Sequence, residues 1–310
     1  MRIRVLLLCF SVSICFSQNS WKAEDVLVFN DSIKLPGTLS YQEGIEGQTL
    51  LIFVPGSGNP DRKGNQPQLG INGNYINQLA KAMNRAGFAF FSYDKRNVTK
   101  ENIPMILRSY EFTDLVDEVK AILEKFKDDQ RFAKLVLIGH SQGSLVAMMA
   151  VNDQIAKYVS LAGLGESADK AIIRQISAQS EELGQIAKAH IEELKKTGSI
   201  ATVNPMLAAL FAKQNHQFLR SYFNRDPAVE IQKLDIPVLI VNGTKDIQVE
   251  VRDARLLKEA KMDARLKVVE NMNHVLKDIV IDSDNLKSYY SPDYPLSKSL
   301  LKELISFIKE

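Results

Sequence analysis

Gly139-His140-Ser141-Gln142-Gly143 is the segment of this chain with the clearest chemical content. An apolar run, 134–138, leads into it, and a helical run, 145–150, leaves it. In that setting a serine sits on a sharp, strained turn that lifts its hydroxyl clear of a sheet. The flanking glycines answer a steric need, because side chains at 139 and 143 would clash across the turn. A helix starting at Ser141 points its positive end at the reacting centre. The chemistry implied is nucleophilic attack by a hydroxyl.

A serine hydroxyl is a weak nucleophile, so it needs a base, and the base needs a carboxylate to orient it. On a strand–turn–helix scaffold the chain order is Ser, then Asp or Glu, then His. There are four histidines. His140 adjoins the nucleophile and points away from it, as a packing or supporting residue. His190 and His216 fall in a helical stretch and read as surface or cap residues. His274, in Asn271-Met272-Asn273-His274, follows the final strand-like run and is the expected base. Asp246 ends a turn after the apolar run 237–241 and is the expected acid. Asp253 and Asp263 lie further from a strand end and read as solvated charges.

The tetrahedral oxyanion needs two fixed N–H donors. The backbone N–H of Gln142, the residue after the nucleophile, is one. The other belongs to Val54-Pro55-Gly56-Ser57-Gly58, where Gly56 and Gly58 support close approach to a substrate. The N–H of Ser57 is assigned, with that of Gly56 as the alternative register. The loop runs on through 55–74, 20 residues with five glycines and three prolines. Loops of that length in compact domains are usually functional. It has neither nucleotide-loop spacing, G-x-x-x-x-G-K-[ST] or G-x-G-x-x-G. Asp61 and Arg62 in this loop, with Asp94 and Arg96 in Tyr93-Asp94-Lys95-Arg96, read equally as a brace across two loops or as solvated charges.

Elements must bring these residues to one rim. β-branched and apolar runs at 26–29, 38–41, 49–54, 88–93, 134–138, 158–161, 237–241 and 266–269 predict eight strands. Amphipathic patterns at 75–85, 112–126, 251–260 and 296–308 predict helices between the later ones. Such alternation implies a mostly parallel sheet with helices on both faces, and a short turn makes the first two strands antiparallel. Ser141, Asp246 and His274 then all fall at the carboxyl ends of strands, where open α/β sheets gather ligands. Residues 164–235 break the rhythm. Leu183, Ala187, Ile191 and Leu194 share one stripe, and Phe211, Phe218 and Tyr222 lie near one face of a second helical stretch. The segment reads as a helical insertion over the sheet, dividing a core of 18–163 and 236–310.

Composition is that of a folded globule, 45% hydrophobic and 25% charged, which argues against disorder. A formal charge of +2 gives no footprint for nucleic acid. Residues 1–17 read as a secretory signal, with Arg2 and Arg4 before a short apolar run. The mature chain is expected to begin at Gln18, exported and without stable membrane insertion; a lipoprotein anchor at Cys15 is the weaker reading, since Ile14 is bulky. Cleavage removes Arg2, Arg4 and no acid, leaving 37 charges of each sign. It also removes Cys9 and Cys15, so the mature chain has no disulfide or cysteine metal site.

These residues together resemble the α/β-hydrolase superfamily over nearly the whole mature chain. Gly139–Gly143, Asp246, His274, Pro55–Gly58 and Tyr93–Arg96 carry the likeness. Their combination is most similar to the bacterial carboxylesterase and serine-aminopeptidase-like branch, which has a helical cap where 164–235 falls. The resemblance implies an α/β-hydrolase fold and catalytic roles for Ser141, Asp246 and His274. It departs at Asn97-Val98-Thr99-Lys100, where members often continue with a glycine-rich turn and a serine. The expected activity is hydrolysis of a small carboxylic ester through an acyl-enzyme, with no metal or organic cofactor. A peptidase trimming short peptides is the other enzymatic expectation, and would need a cap carboxylate among Glu166, Glu181, Glu182, Glu192 and Glu193. A non-catalytic binding protein on the same fold is a third reading, disfavoured because no triad member is lost.

Overall fold

The computed structural model describes residues 20–310; the expected signal segment lies outside the described residues. Eight strands form one sheet: β1 (Trp21–Asn30), β2 (Ile33–Gln42), β3 (Gln48–Val54), β4 (Ala89–Tyr93), β5 (Phe132–His140), β6 (Ile155–Leu161), β7 (Val238–Gly243) and β8 (Arg265–Val269). Their spatial order is β1-β2-β4-β3-β5-β6-β7-β8. β1 and β2 pair antiparallel through a tight turn in which Asp31 takes a positive φ. β2 meets β4 antiparallel, and every later pairing is parallel. Each predicted strand is present.

Side-chain alternation on the central strands builds two cores. Leu50, Ile52, Leu135 and Leu137 face one way; Leu51, Phe53, Val136 and Ile138 face the other. Among the described residues, eight helices have eight residues or more: α1 (Tyr75–Arg85), α2 (Phe112–Phe126), α3 (Gln142–Ala150), α4 (Ala168–Ser177), α5 (Glu181–Thr197), α6 (His216–Phe223), α7 (Val251–Ala260) and α8 (Lys298–Lys309). α1 and α8 cover the second face through Leu79, Met83, Leu300 and Leu304. α2, α3 and α7 cover the first through residues such as Val119, Leu145 and Leu257. Both surfaces of the sheet are sealed, which is why the inner strands are nearly continuous in apolar residues.

Helices α4 to α6 and shorter turns occupy the stretch between β6 and β7. They dock on α2 through aromatic pairs. Tyr222 stacks on Phe112 with ring centres 4.4 Å apart, and Phe218 stacks on Tyr110 at 4.6 Å. The second helical stretch is interrupted, which the spacing of Phe211 and Phe218 does not reveal. Ala208–Phe211 and α6 are separate because the Asn215 amide donates to the carbonyls of Ala209 and Leu210 and ends the first turn. The surface reading of His190 and His216 is also corrected: both are buried. His190 Nε2 accepts from the Asn204 N–H at 3.0 Å, and His216 Nε2 donates to the Phe211 carbonyl at 3.0 Å. Locally satisfied rings tolerate burial.

Candidate active site

Ser141 has φ 54° and ψ −124°, between the last residue of β5 and the first turn of α3. A left-handed φ on a non-glycine residue is strained, and the surroundings impose it. Its N–H donates to the Leu161 carbonyl on β6, and its carbonyl accepts from the Ser144 N–H. A Cβ at Gly139 would lie 2.5 Å from the Gly143 carbonyl oxygen, and one at Gly143 would lie 2.3 Å from that of Val54. Strand, turn and helix are therefore packed backbone to backbone at this corner.

Asp246 and His274 come together from the ends of β7 and β8. His274 Nδ1 lies 2.8 Å from Asp246 Oδ2, and the carboxylate is fully shielded from solvent. Asp246 Oδ1 accepts the N–H groups of Gln248 and Val249. Nδ1 thus donates to a carboxylate already fixed by its own turn, leaving Nε2 free to take a proton. Ser141 and His274 line one cavity of about 130 Å³ with Gly56, Ser57, Tyr75 and Tyr289. The side-chain hydrogen bond that His274 makes is the one to Asp246; serine–base contacts commonly tighten only with substrate present.

The loop carrying His274 is held by polar residues that periodicity does not point to. The Asn273 side chain donates to Asn285 and Ser288 and accepts the Lys277 N–H. The Lys277 ammonium is buried and donates to the carbonyls of Gly73, Ser288 and Ser291. His140 supports the same loop from beneath, as its predicted direction implies. Its Nε2 donates to the His274 carbonyl at 2.8 Å, which leaves Nδ1 to accept from the Tyr75 hydroxyl at 3.2 Å. Burial, with His274 beside it, pulls the His140 pKa down to about 3, so this ring stays neutral.

On the opposite side, Gly56 is buried against Ser141: a Cβ there would sit 3.0 Å from Ser141 Cβ. Ser57 lines the cavity beside Ser141 and also a second one of about 510 Å³ beneath the cap, where Lys95, Asn97, Tyr110, Gln142, Phe218 and Tyr222 contribute. Gly58 has φ 81°, which favours glycine, and lines the second cavity.

The four charges left open between brace and solvent resolve individually. Arg62 forks onto Asp94, Nε to Oδ1 at 3.0 Å and an Nη to Oδ2 at 2.8 Å, and also donates to the Gly37 carbonyl on β2. Asp61 instead accepts N–H groups of Lys63 and Asn65 within its own loop. Arg96 is buried against Glu118 and Asp114 of α2. Lys95, between Asp94 and Arg96, carries no signal in its spacing that sets it apart from the rest of the charged run, yet it is buried and donates to the Gly56 carbonyl and Gln142 Oε1, each at 2.8 Å. Burial lowers its pKa to about 8, with Glu118 opposing that shift.

Of the two rival acids, one is placed as expected and one is not. Asp263 is exposed and paired with Lys261. Asp253 is not solvated; it is buried beneath the cap, bound by Arg174 and the Gly165 N–H. Glu166 is held by Arg174 and Arg252, and Glu193 by the Ala201 N–H. Glu181, Glu182 and Glu192 are exposed. None of these five lines either cavity. Among the described residues, no group of three His, Cys, Asp or Glu side chains is arranged to hold a metal ion, and no helix is long and apolar enough to cross a membrane.

Residues 70–278 match the family model described as serine aminopeptidase, S33. The chain is 21% identical over 258 residues to esterase EstD of Thermotoga maritima, covering 78% of this chain and 58% of that relative, so it spans less than two thirds of EstD's length. Among solved structures, Est1E from Butyrivibrio proteoclasticus superposes with a TM-score of 0.59 at 16% identity, covering 92% of this chain and 99% of that one. The Pyrococcus furiosus esterase Pf2001 gives 0.58 at 13% identity, covering 99% and 95%. At these identities the structural likeness establishes the fold.

Proposed function

The chain belongs to the serine aminopeptidase, S33, family of α/β hydrolases, and from that premise we propose that it hydrolyses small carboxylic esters through Ser141, His274 and Asp246. Ser141 attacks the carbonyl carbon while His274 Nε2 takes its proton. Asp246 keeps the imidazole in the right tautomer and stabilises its cation. The N–H groups of Ser57 and Gln142 receive the oxyanion. Collapse of the tetrahedral species expels the alcohol, protonated by His274, and water then hydrolyses the acyl-enzyme by the same steps.

The observation that carries this reading is the shielded 2.8 Å contact between Asp246 and His274, whose ring lines a cavity shared with a serine at positive φ. Likeness to proteins named as esterases, EstD and Pf2001, supports ester over peptide chemistry. So does the engagement of Glu166 by two arginines, which leaves it unsuited to hold a free α-amino group. Ser141→Ala should lower kcat for an acyl ester by a factor on the order of 10⁶, and a fluorophosphonate should label Ser141 alone. Ester turnover near that of the wild type in Ser141→Ala would refute the reading; faster turnover of aminoacyl amides than of esters would shift it to peptidase chemistry. Residues 1–17 are proposed as an export signal, tested by whether the exported chain begins at Gln18.

A further inference from the structure

The hydrolytic cycle makes no use of one buried cation that touches both sides of the site. Lys95 follows β4, is 5% exposed, and spends two of its three N–H donors on neutral oxygens, the Gly56 carbonyl and the Gln142 side-chain amide. The buried carboxylate on α2, Glu118, is committed to Arg96. An ammonium withdrawn from water is costly unless its partners are well placed, and these partners belong to the two segments that supply the oxyanion donors.

The peptide between Gly56 and Ser57 is planar and trans, so its C=O and N–H point in opposite directions. Fixing the Gly56 oxygen on the Lys95 ammonium therefore turns the Ser57 N–H to the opposite side. Gly56 itself is packed against Ser141, which puts that peptide beside the nucleophile. The second contact ties down the side chain of Gln142, whose own backbone N–H is the other donor.

Resting on the ester-hydrolase reading above, we propose that Lys95 is a positioning residue that cross-ties the two halves of the oxyanion hole. One ammonium sets the separation and aim of both donors without touching substrate. Preorganisation of this kind acts on the charge that develops in the transition state and little on ground-state binding.

The test compares Lys95→Ala with the wild type on a p-nitrophenyl ester, with thermal melts to establish folding. The expected loss is about 10²-fold in kcat, with KM changed by less than about threefold. Affinity for a trifluoromethyl ketone, whose serine adduct carries an oxyanion, should fall by a factor similar to that in kcat/KM. Lys95 lines the open cavity beneath the cap, so added propylammonium should restore about tenfold of the lost kcat. A folded Lys95→Ala enzyme that keeps kcat within about threefold, or that loses KM alone, overturns the proposal. If Lys95→Ala does not fold, Gln142→Met decides: about a fivefold loss of kcat at constant KM supports the cross-tie, and unchanged kcat overturns it. A wild-type protein that neither turns over esters nor labels at Ser141 overturns the hydrolase reading, and this proposal with it, whereas the variant results bear on Lys95 alone.

Discussion

Asp246 meets His274 with one carboxylate oxygen and the backbone of its own turn with the other. This division makes Asp246→Asn informative. The N–H groups of Gln248 and Val249 require an oxygen, so the new amide would present its NH₂ to His274 Nδ1. The ring must then carry its proton on Nε2, where it cannot accept one from serine. We expect kcat to fall by about 10⁴ with the melting temperature little changed. A kcat within about tenfold of wild type would show that this acid does not set the tautomer.

Gly143→Ala tests the packing of the elbow. The added methyl would lie 2.3 Å from the Val54 carbonyl oxygen and 2.4 Å from that of Pro55. Both are backbone atoms, so relief requires α3 to move away from the end of β3. A cost of about 2–3 kcal/mol is expected, lowering Tm by roughly 3–5 °C, with ester turnover lost disproportionately. Unchanged melting would mean that the corner is looser than these distances imply.

Arg62→Met should release the long loop. It removes the forked pair with Asp94 and the bond to the Gly37 carbonyl, partly buried contacts that join the loop to β2 and to the end of β4. The expected loss is about 2 kcal/mol. Limited proteolysis should cut within 55–74 faster than in the wild type, which mass spectrometry of the fragments would locate.

Glu118 supplies a pH signature. Burial pushes its carboxyl from 4.5 up to about 7, against the attraction of Arg96, and its Oε2 has no partner among the described residues. The folded protein therefore retains a proton that the unfolded chain releases. The resulting stability is complete below about pH 4.5 and is lost as pH rises through about 7. Glu118→Gln cannot titrate. The Tm of the wild type relative to this variant should fall by several degrees between about pH 5 and pH 8, reflecting a few kcal/mol. A constant gap across that range would refute the assignment.

The fold was legible because its signals are local and redundant. Eight apolar runs mark eight strands, and the inner ones read as unbroken because helices seal both faces. The helices at 75–85 and 251–260 have the residue limits their patterns suggest. Residues on the sheet rim could be named from their positions after strands. What escaped was the polar scaffolding. Nothing in Asp94-Lys95-Arg96 tells which charge goes inward; three adjacent side chains leave in three directions, toward Arg62, Gly56 and Glu118. Lys277 reaches the Gly73 carbonyl, 204 residues away in the chain, and no spacing rule anticipates such a partner. Asp253 looked solvated for the same reason: its partners, Arg174 and Gly165, belong to the cap.

The cap departs from β6 and returns on β7, strands that are hydrogen-bonded neighbours from Tyr158–Val238 to Leu161–Val241. Because these strands are parallel, the segment leaves at the carboxyl edge of the sheet and must come back at the opposite edge, so it is both a roof and a crossover. The part laid over the carboxyl edge can be lengthened, shortened or exchanged while strand register beneath stays fixed. Variation there is separable from Ser141, Asp246 and His274, which stand outside that segment. Grafting roofs between relatives is the natural route to new selectivity on this framework.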